Sequence, residues 1–182
     1  MAILGLGAAA STAQPGVNHS TESLQEMFVK LSNTPGSSTD SKHKGEIDVL
    51  SYNIAINQSS SAHTGGGSAV GKANFGFFTI RKYADRASPN LLKHCASGKH
   101  LDELVLSVCK SGDGQQQYLT MTLNEVFITA VANVSSTETP RVIEEVSFSY
   151  GKIKLEVKEQ NADGSLGAAV TGAWDVKQNK AA

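Results

Sequence analysis

The sequence predicts a mainly β domain, a barrel or sandwich with one short helix covering a side or an end. Residues 46–57 alternate, with Leu50, Tyr52, Ile54 and Ile56 apolar and Ser51, Asn53, Ala55 and Asn57 small or polar. That period of two is the pattern of a half-buried strand. Further β-prone runs recur along the chain, each bounded by Gly, Pro, Asn, Asp or Ser, which is the spacing of an all-β domain. One segment alone carries a complete helix signature, from Ser88-Pro89 to Gly98.

The elements follow in order. Residues 1–25 hold many small residues and no clear period, and read as a flexible N-terminal extension preceding a domain over 26–182. Met27-Phe-Val-Lys-Leu31 is a first β-prone run, and residues 33–45 form a polar loop opened by the turn signal Pro35-Gly36. The strand over 46–57 comes next. Residues 58–74 are a Ser, Gly, Ala and Thr loop, longer than compact domains usually tolerate without a functional reason. Residues 75–82 return to β, with Phe78 and Ile80 set against Thr79 and Arg81.

In the helix, Ser88 reads as the N-cap and Pro89 as the first helical residue, where its missing N–H costs nothing. Leu91, Leu92, Cys95 and Ala96 fall on one face, and Gly98 suits a left-handed stop. His94, Lys99 and His100 suit the negative end of the dipole. Strands then follow over 104–110, 117–123 and 125–133, with Leu119, Met121 and Leu123 inside. Residues 142–157 form a long β stretch with a bulge or bend at Gly151. Asn161-Ala-Asp-Gly-Ser165 is a turn, and residues 169–177, with Trp174, close the domain.

Bulk properties exclude several classes. Formal net charge is −1 with 18% charged residues, so the electrostatic footprint of a nucleic-acid binder is missing. No run of about 18 apolar residues exists to insert into a membrane. The start, Met1-Ala-Ile-Leu-Gly-Leu-Gly, lacks the basic residue that opens a secretory signal. Cys95 and Cys109 are too few for a disulfide framework and read as free, buried thiols.

No catalytic, cofactor or metal site emerges. Gly66-Gly-Ser-Ala-Val-Gly-Lys72 has phosphate-loop spacing, but Ala73 stands where Mg²⁺ chemistry needs Ser or Thr, and the flanks are a loop and a strand. His94 and Cys95 are adjacent, so on a helix they diverge by about 100°. Asp102 and Glu103, adjacent in a strand, face opposite ways. No Gly-x-Ser-x-Gly elbow is present. Lys152, Lys154 and Glu156 alternate with Ile153, Leu155 and Val157, a wet strand face that suits either a solvated sheet or the wall of a wet channel.

Several phrases in fixed order carry a resemblance. They are Ser41-Lys-His-Lys-Gly-Glu-Ile-Asp-Val-Leu50, His63-Thr-Gly-Gly-Gly67, Gly71-Lys72, Lys82-Tyr83, Ala87-Ser-Pro-Asn-Leu91, Gly98-Lys-His100, Ala162-Asp-Gly-Ser165 and Trp174-Asp175. Together they resemble the haemolysin-coregulated protein family, the tube subunit of the type VI secretion system. The resemblance implies a β-barrel of two antiparallel sheets with one flanking helix and no enzymatic activity. It implies homohexameric rings that stack into a tube, with the spike, sheath and baseplate of the apparatus as partners. The lumen of such a tube can hold small effector proteins. Assembly in the bacterial cytoplasm and secretion without a cleaved signal follow.

Residues 1–25 are extra relative to the family, and Ser51-Tyr52-Asn53-Ile54 stands where many relatives have aromatics. The chain closes soon after Trp174, which suits a plain tube subunit rather than one with a C-terminal toxin. The ring or stack contact is expected in the long loop, at His63, Thr64, Gly65, Gly66, Gly67, Ser68, Ala69 and Val70. Ser51, Asn53 and Asn57 are the expected lumen or cargo face. The competing expectation is a monomeric secreted β-domain, an effector or adhesin, on the same fold.

Overall fold

A computed structural model describes residues 25–58, 72–111, 115–134, 138 and 141–182. The described residues are mainly β, with one helix among them. The strands are β1 (Gln25–Leu31), β2 (Ile47–Asp48), β3 (Ser51–Asn53), β4 (Ile56–Asn57), β5 (Asn74–Phe75) and β6 (Phe78–Tyr83). The helix α1 (Ser88–Ser97) follows, then β7 (His100–Lys110), β8 (Gln116–Asn133), β9 (Ile143–Ser149), β10 (Lys152–Gln160), β11 (Leu166–Asp175) and β12 (Lys180–Ala181). Gln25, read from the sequence as the last residue of the extension, is the first residue of β1.

Ten strands form one branched antiparallel sheet, and β4–β5 form a small second one. One arm runs β12-β11-β10-β8-β7-β1-β2; the other runs β8-β9-β6-β3. The branch lies in β8, whose first half pairs with β10 and whose second half pairs with β9. Glu125 sits at that corner with φ 56°. Across from it, an added Cβ on Gly151 would stand 3.1 Å from Glu125 Cβ. The bend expected at Gly151 is therefore a shared corner where the two arms part.

The arms fold around one core that includes Val29, Ile47, Ile80, Leu91, Leu104, Leu106, Leu123, Val146 and Phe148. Alternation places these side chains inward and leaves polar residues on the other faces. Phe78 and Phe148, opposite each other on β6 and β9, lie with ring centroids 6.1 Å apart.

Three expectations need correction. Residues 46–57 are not one strand. The buried residues are Ile47 and Val49, whereas Leu50 and Ile56 are exposed. The chain changes neighbours here: Val49 N–H donates to Met27 C=O, and Leu50 N–H donates to Arg81 C=O. β2 thus pairs with β1 and β3 with β6, and the kink reverses which parity faces inward. The barrel is interrupted at this kink and is not closed by a continuous ladder.

In α1 the N-cap is Ala87, with no side-chain cap. The Ser88 hydroxyl is recruited elsewhere, donating to Glu144 Oε2 at 2.6 Å and accepting from Asp85 N–H at 3.0 Å. On the helix face only Leu91 is fully buried; Leu92 and Ala96 are exposed. A helix of ten residues is marginal alone, so burial of Leu91, about 1.5–3 kcal/mol, and the Ser88 tether hold it in place. Gly98 ends it in the left-handed region as expected (φ 60°), its N–H donating to Cys95 C=O.

Candidate functional site

His63, Thr64, Gly65, Gly66, Gly67, Ser68, Ala69 and Val70 lie outside the described residues. The stem of their loop is described. In it, β4 and β5 pair Ile56 with Phe75 and Asn57 with Asn74, and Phe77 is exposed beside them.

The expected lumen residues are brought onto one surface only in part. Ser51 and Asn53 are exposed on β3, opposite Arg81 and Thr79 of β6. Arg81 and Thr79 in turn stand opposite Glu145 and Ser147 of β9. Thr79 Oγ1 and Ser147 Oγ are hydrogen-bonded at 2.9 Å, and Thr129 Oγ1 donates to Ser147 C=O at 3.1 Å. The result is a polar wall with balanced charge, Arg81 beside Glu145. A concavity of about 380 Å³ lies over it, lined by Ser51, Tyr52, Asn53, Thr79, Arg81 and Glu145. Asn57, also exposed, belongs to the separate β4–β5 sheet. Sequence reasoning missed Arg81 and Glu145 as members of this wall. Each sits at a polar position of an alternating strand, but that pattern does not say which strand lies alongside.

The back of the β1–β7 pair is sealed by the loop over 33–46. Asp40 Oδ1 accepts the N–H groups of Lys42 and His43 and so shapes a tight turn. Partial burial acts to raise the Asp40 carboxyl. Those two N–H groups and the Gln115 amide outweigh it and hold the carboxyl below its ordinary value. The turn lays the His43 ring flat on Phe28, centroids 4.3 Å apart. His43 Nδ1 lies 2.9 Å from Glu46 Oε2, and Nε2 lies 3.5 Å from Cys109 Sγ.

A carboxylate, an imidazole and a thiol in line have the order of a nucleophilic triad. The environment opposes that chemistry. Cys109 is fully buried, and burial, then the carboxylates of Glu26, Asp40 and Glu46, push its thiol up to about 11. It stays protonated and cannot reach a substrate. The cluster acts as a clasp that fixes the loop.

A second polar cluster lies under α1. Lys82 is fully buried, with its ammonium 2.8 Å from Asp85 Oδ1, 2.8 Å from Glu144 Oε2 and 2.8 Å from the Tyr83 carbonyl. The neighbouring parts of the sequence expectation hold, since Phe78 and Ile80 are buried beside it. Lys82 shares their parity, which is the one signal in the sequence that it would face inward.

Residues 28–157 match the family model described as "Type VI secretion system effector, Hcp". The chain belongs to the Hcp family of the type VI secretion system. It is 36% identical over 156 residues to the protein hcp1 of Pseudomonas aeruginosa, spanning 85% of this chain and 96% of that protein. Among solved structures, Hcp1 from Salmonella typhimurium superposes with a TM-score of 0.72 at 33% identity, covering 87% of this chain and 99% of that one. A structure described as a type six secretion system protein superposes with a TM-score of 0.82 over 87% of this chain and all of that one. At 23% identity, that likeness speaks for the fold alone. Membership makes this chain a secreted tube protein of the type VI system. No helix among the described residues is long and apolar enough to cross a membrane.

Proposed function

We propose that six copies of this chain form a ring, that rings stack into the inner tube, and that the lumen carries small effector proteins. Within this reading the domain spans 26–182 and residues 1–25 are an appendage to it. The tube assembles in the bacterial cytoplasm against the baseplate and inside the sheath, and leaves the cell beneath the spike without signal cleavage. The observation that supports a conduit is the wall of Ser51, Asn53, Thr79, Arg81 and Glu145. Ser51, Asn53 and Arg81 are exposed and Thr79 and Glu145 half-buried, and the wall is hydrogen-bonding and balanced in charge, a lining that wets cargo without gripping it. Asn57 is assigned to the same lining from the neighbouring β4–β5 sheet.

Asn53→Trp narrows the concavity and is expected to reduce effector retention while rings persist. Unchanged retention by intact rings would remove this wall from the lumen. The loop from His63 to Val70 is assigned to contact a neighbouring copy. Ala69→Asp places a charge there and is expected to impair ring or stack formation without lowering thermal stability; wild-type assembly by that variant would remove the loop from the interface.

A further inference from the structure

The wet face of the shorter sheet arm is graded, and its far row is aromatic. Thr79 and Arg81 of β6 stand opposite Ser147 and Glu145 of β9 in the polar wall. Two residues further along on the same face come Phe77, the residue immediately before β6, and Ser149, the last of β9. Ser149 stands opposite Phe127 of β8, and Phe127 stands opposite His100 of β7. Phe77, Ser149, Phe127 and His100 thus make one row across the arm. Their neighbours in sequence, Phe78, Phe148, Val126, Ile128 and Leu101, are all buried, so alternation turns the row outward.

Both phenylalanines are open to solvent, Phe77 at 61% and Phe127 at 38%. Singly exposed apolar residues are ordinary. These two differ in being set across a small residue. Two inter-strand steps hold their backbones about 9–10 Å apart, and the Ser149 side chain is too short to fill the space between. The result is a slot with aromatic walls and a hydroxyl floor. One wall is braced, because the His100 ring meets Phe127 edge-on with centroids 5.1 Å apart. A braced wall loses less freedom when a guest seats against it.

The slot's chemistry selects its occupant. The row holds no carboxylate and no ammonium, and His100 lies 3.8 Å from Asp102. Arg81 and Glu145 stand four residues along their strands, about 13 Å away. The nearer hydroxyls of Thr79 and Ser147 are bonded to each other at 2.9 Å. An uncharged, flat side chain suits such a place, held by offset or edge-to-face contact with each ring. Size decides against a second copy of the chain. The exposed parts of two phenylalanines offer about 200 Å², and a stable protein pair buries about 800 Å² on each partner.

We infer that this slot seats one aromatic side chain of a guest polypeptide at the end of the wet wall. The inference rests on the lumen reading above and names the cargo feature the wall selects: an exposed phenylalanine, tyrosine or tryptophan on an otherwise polar segment.

The probe is a capped, neutral peptide of glycines with one central phenylalanine, and its alanine counterpart is the control. Binding is read by saturation-transfer NMR, and the mass of each protein by light scattering. The wild type is expected to bind the phenylalanine peptide at millimolar concentration and the alanine peptide about tenfold more weakly. Phe77→Ser is expected to weaken binding about fivefold. Ser149→Leu, which fills the slot and leaves both rings in place, should abolish it. Val170→Ser removes an apolar side chain exposed at 71% outside the row and should bind as wild type. Rings that take both peptides equally, or slot variants that bind as wild type, would overturn the slot and leave the ring reading standing. Equal weakening by Val170→Ser would also overturn it, as general apolar adhesion. A monomeric wild type whose binding is lost in Ser149→Leu would uphold the slot and overturn its place in a lumen.

Discussion

The buried Lys82 cluster permits a stability prediction that can be worked from distances. The ammonium touches two carboxylates, Asp85 and Glu144, each at 2.8 Å, the Tyr83 carbonyl at 2.8 Å, and the Ser88 hydroxyl at 3.2 Å. Glu144 is 6% exposed and Lys82 is not exposed at all. Lys82→Met removes the cation and leaves Glu144 charged in a site with little water, supported by the Ser88 hydroxyl alone. Breaking a buried pair in this way costs about 3–5 kcal/mol. For a chain of 182 residues, each kcal/mol moves the Tm by roughly 2–4 °C. The expected fall is therefore about 6–20 °C, accompanied by faster amide exchange in α1, whose Ser88 is tied to Glu144. Urea unfolding followed by circular dichroism, with m compared between proteins, reads the change directly. Adding Glu144→Gln removes the stranded charge and should return at least about 2 kcal/mol, because the penalty lies in the unpaired ion rather than in the lost pair. A Lys82→Met protein within about 1 kcal/mol of wild type, or a double variant no better than the single, would refute this reasoning.

Other predictions bear on the sealed back of the sheet. A Cβ at Gly36 would stand 2.6 Å from Ile47 Cα and overlap the Glu46 carbonyl, all backbone atoms. Gly36→Ala is thus expected to destabilise by about 3 kcal/mol or more, read as a lowered urea midpoint, while Gly172→Ala, with open space around it, should stay within about 1 kcal/mol of wild type. The Cys109 thiol is raised from 9.0 to about 11, so the unfolded chain gives up this proton before the folded one does. Its contribution is complete below pH 9 and is lost as pH climbs through 11, by roughly 2–3 kcal/mol. Thermal unfolding from pH 8 to 11 should fall more steeply for wild type than for Cys109→Ala, and parallel curves would contradict the burial argument.

Local patterns made much of this fold legible. The β1 run, the Gly98 stop, the turn at 161–165 and the alternation of β10 all depend on residues close in sequence, where periodicity and turn chemistry act. What escaped depends on neighbours distant in the chain. Residues 46–57 look like one strand by period, yet the chain leaves β1 for β6 at Val49 and Leu50, and the parity flips. Ser88 looks like a cap, but a buried Lys–Glu pair from β6 and β9 claims its hydroxyl. The same limit held at the surface. Ser51 and Asn53 were legible as a wet face, while Arg81 and Glu145 needed the strand order. Asn57 shared their period but not their sheet.

The central claim is that this chain builds a ring. Light scattering on the purified full chain at tens of micromolar, with negative-stain images of the same peak, tests it most directly. Six copies of a 19.1 kDa chain give about 115 kDa, seen as annular particles, if the account is right. A species of 19.1 kDa with no annuli would contradict it and favour a monomeric secreted domain on the same fold.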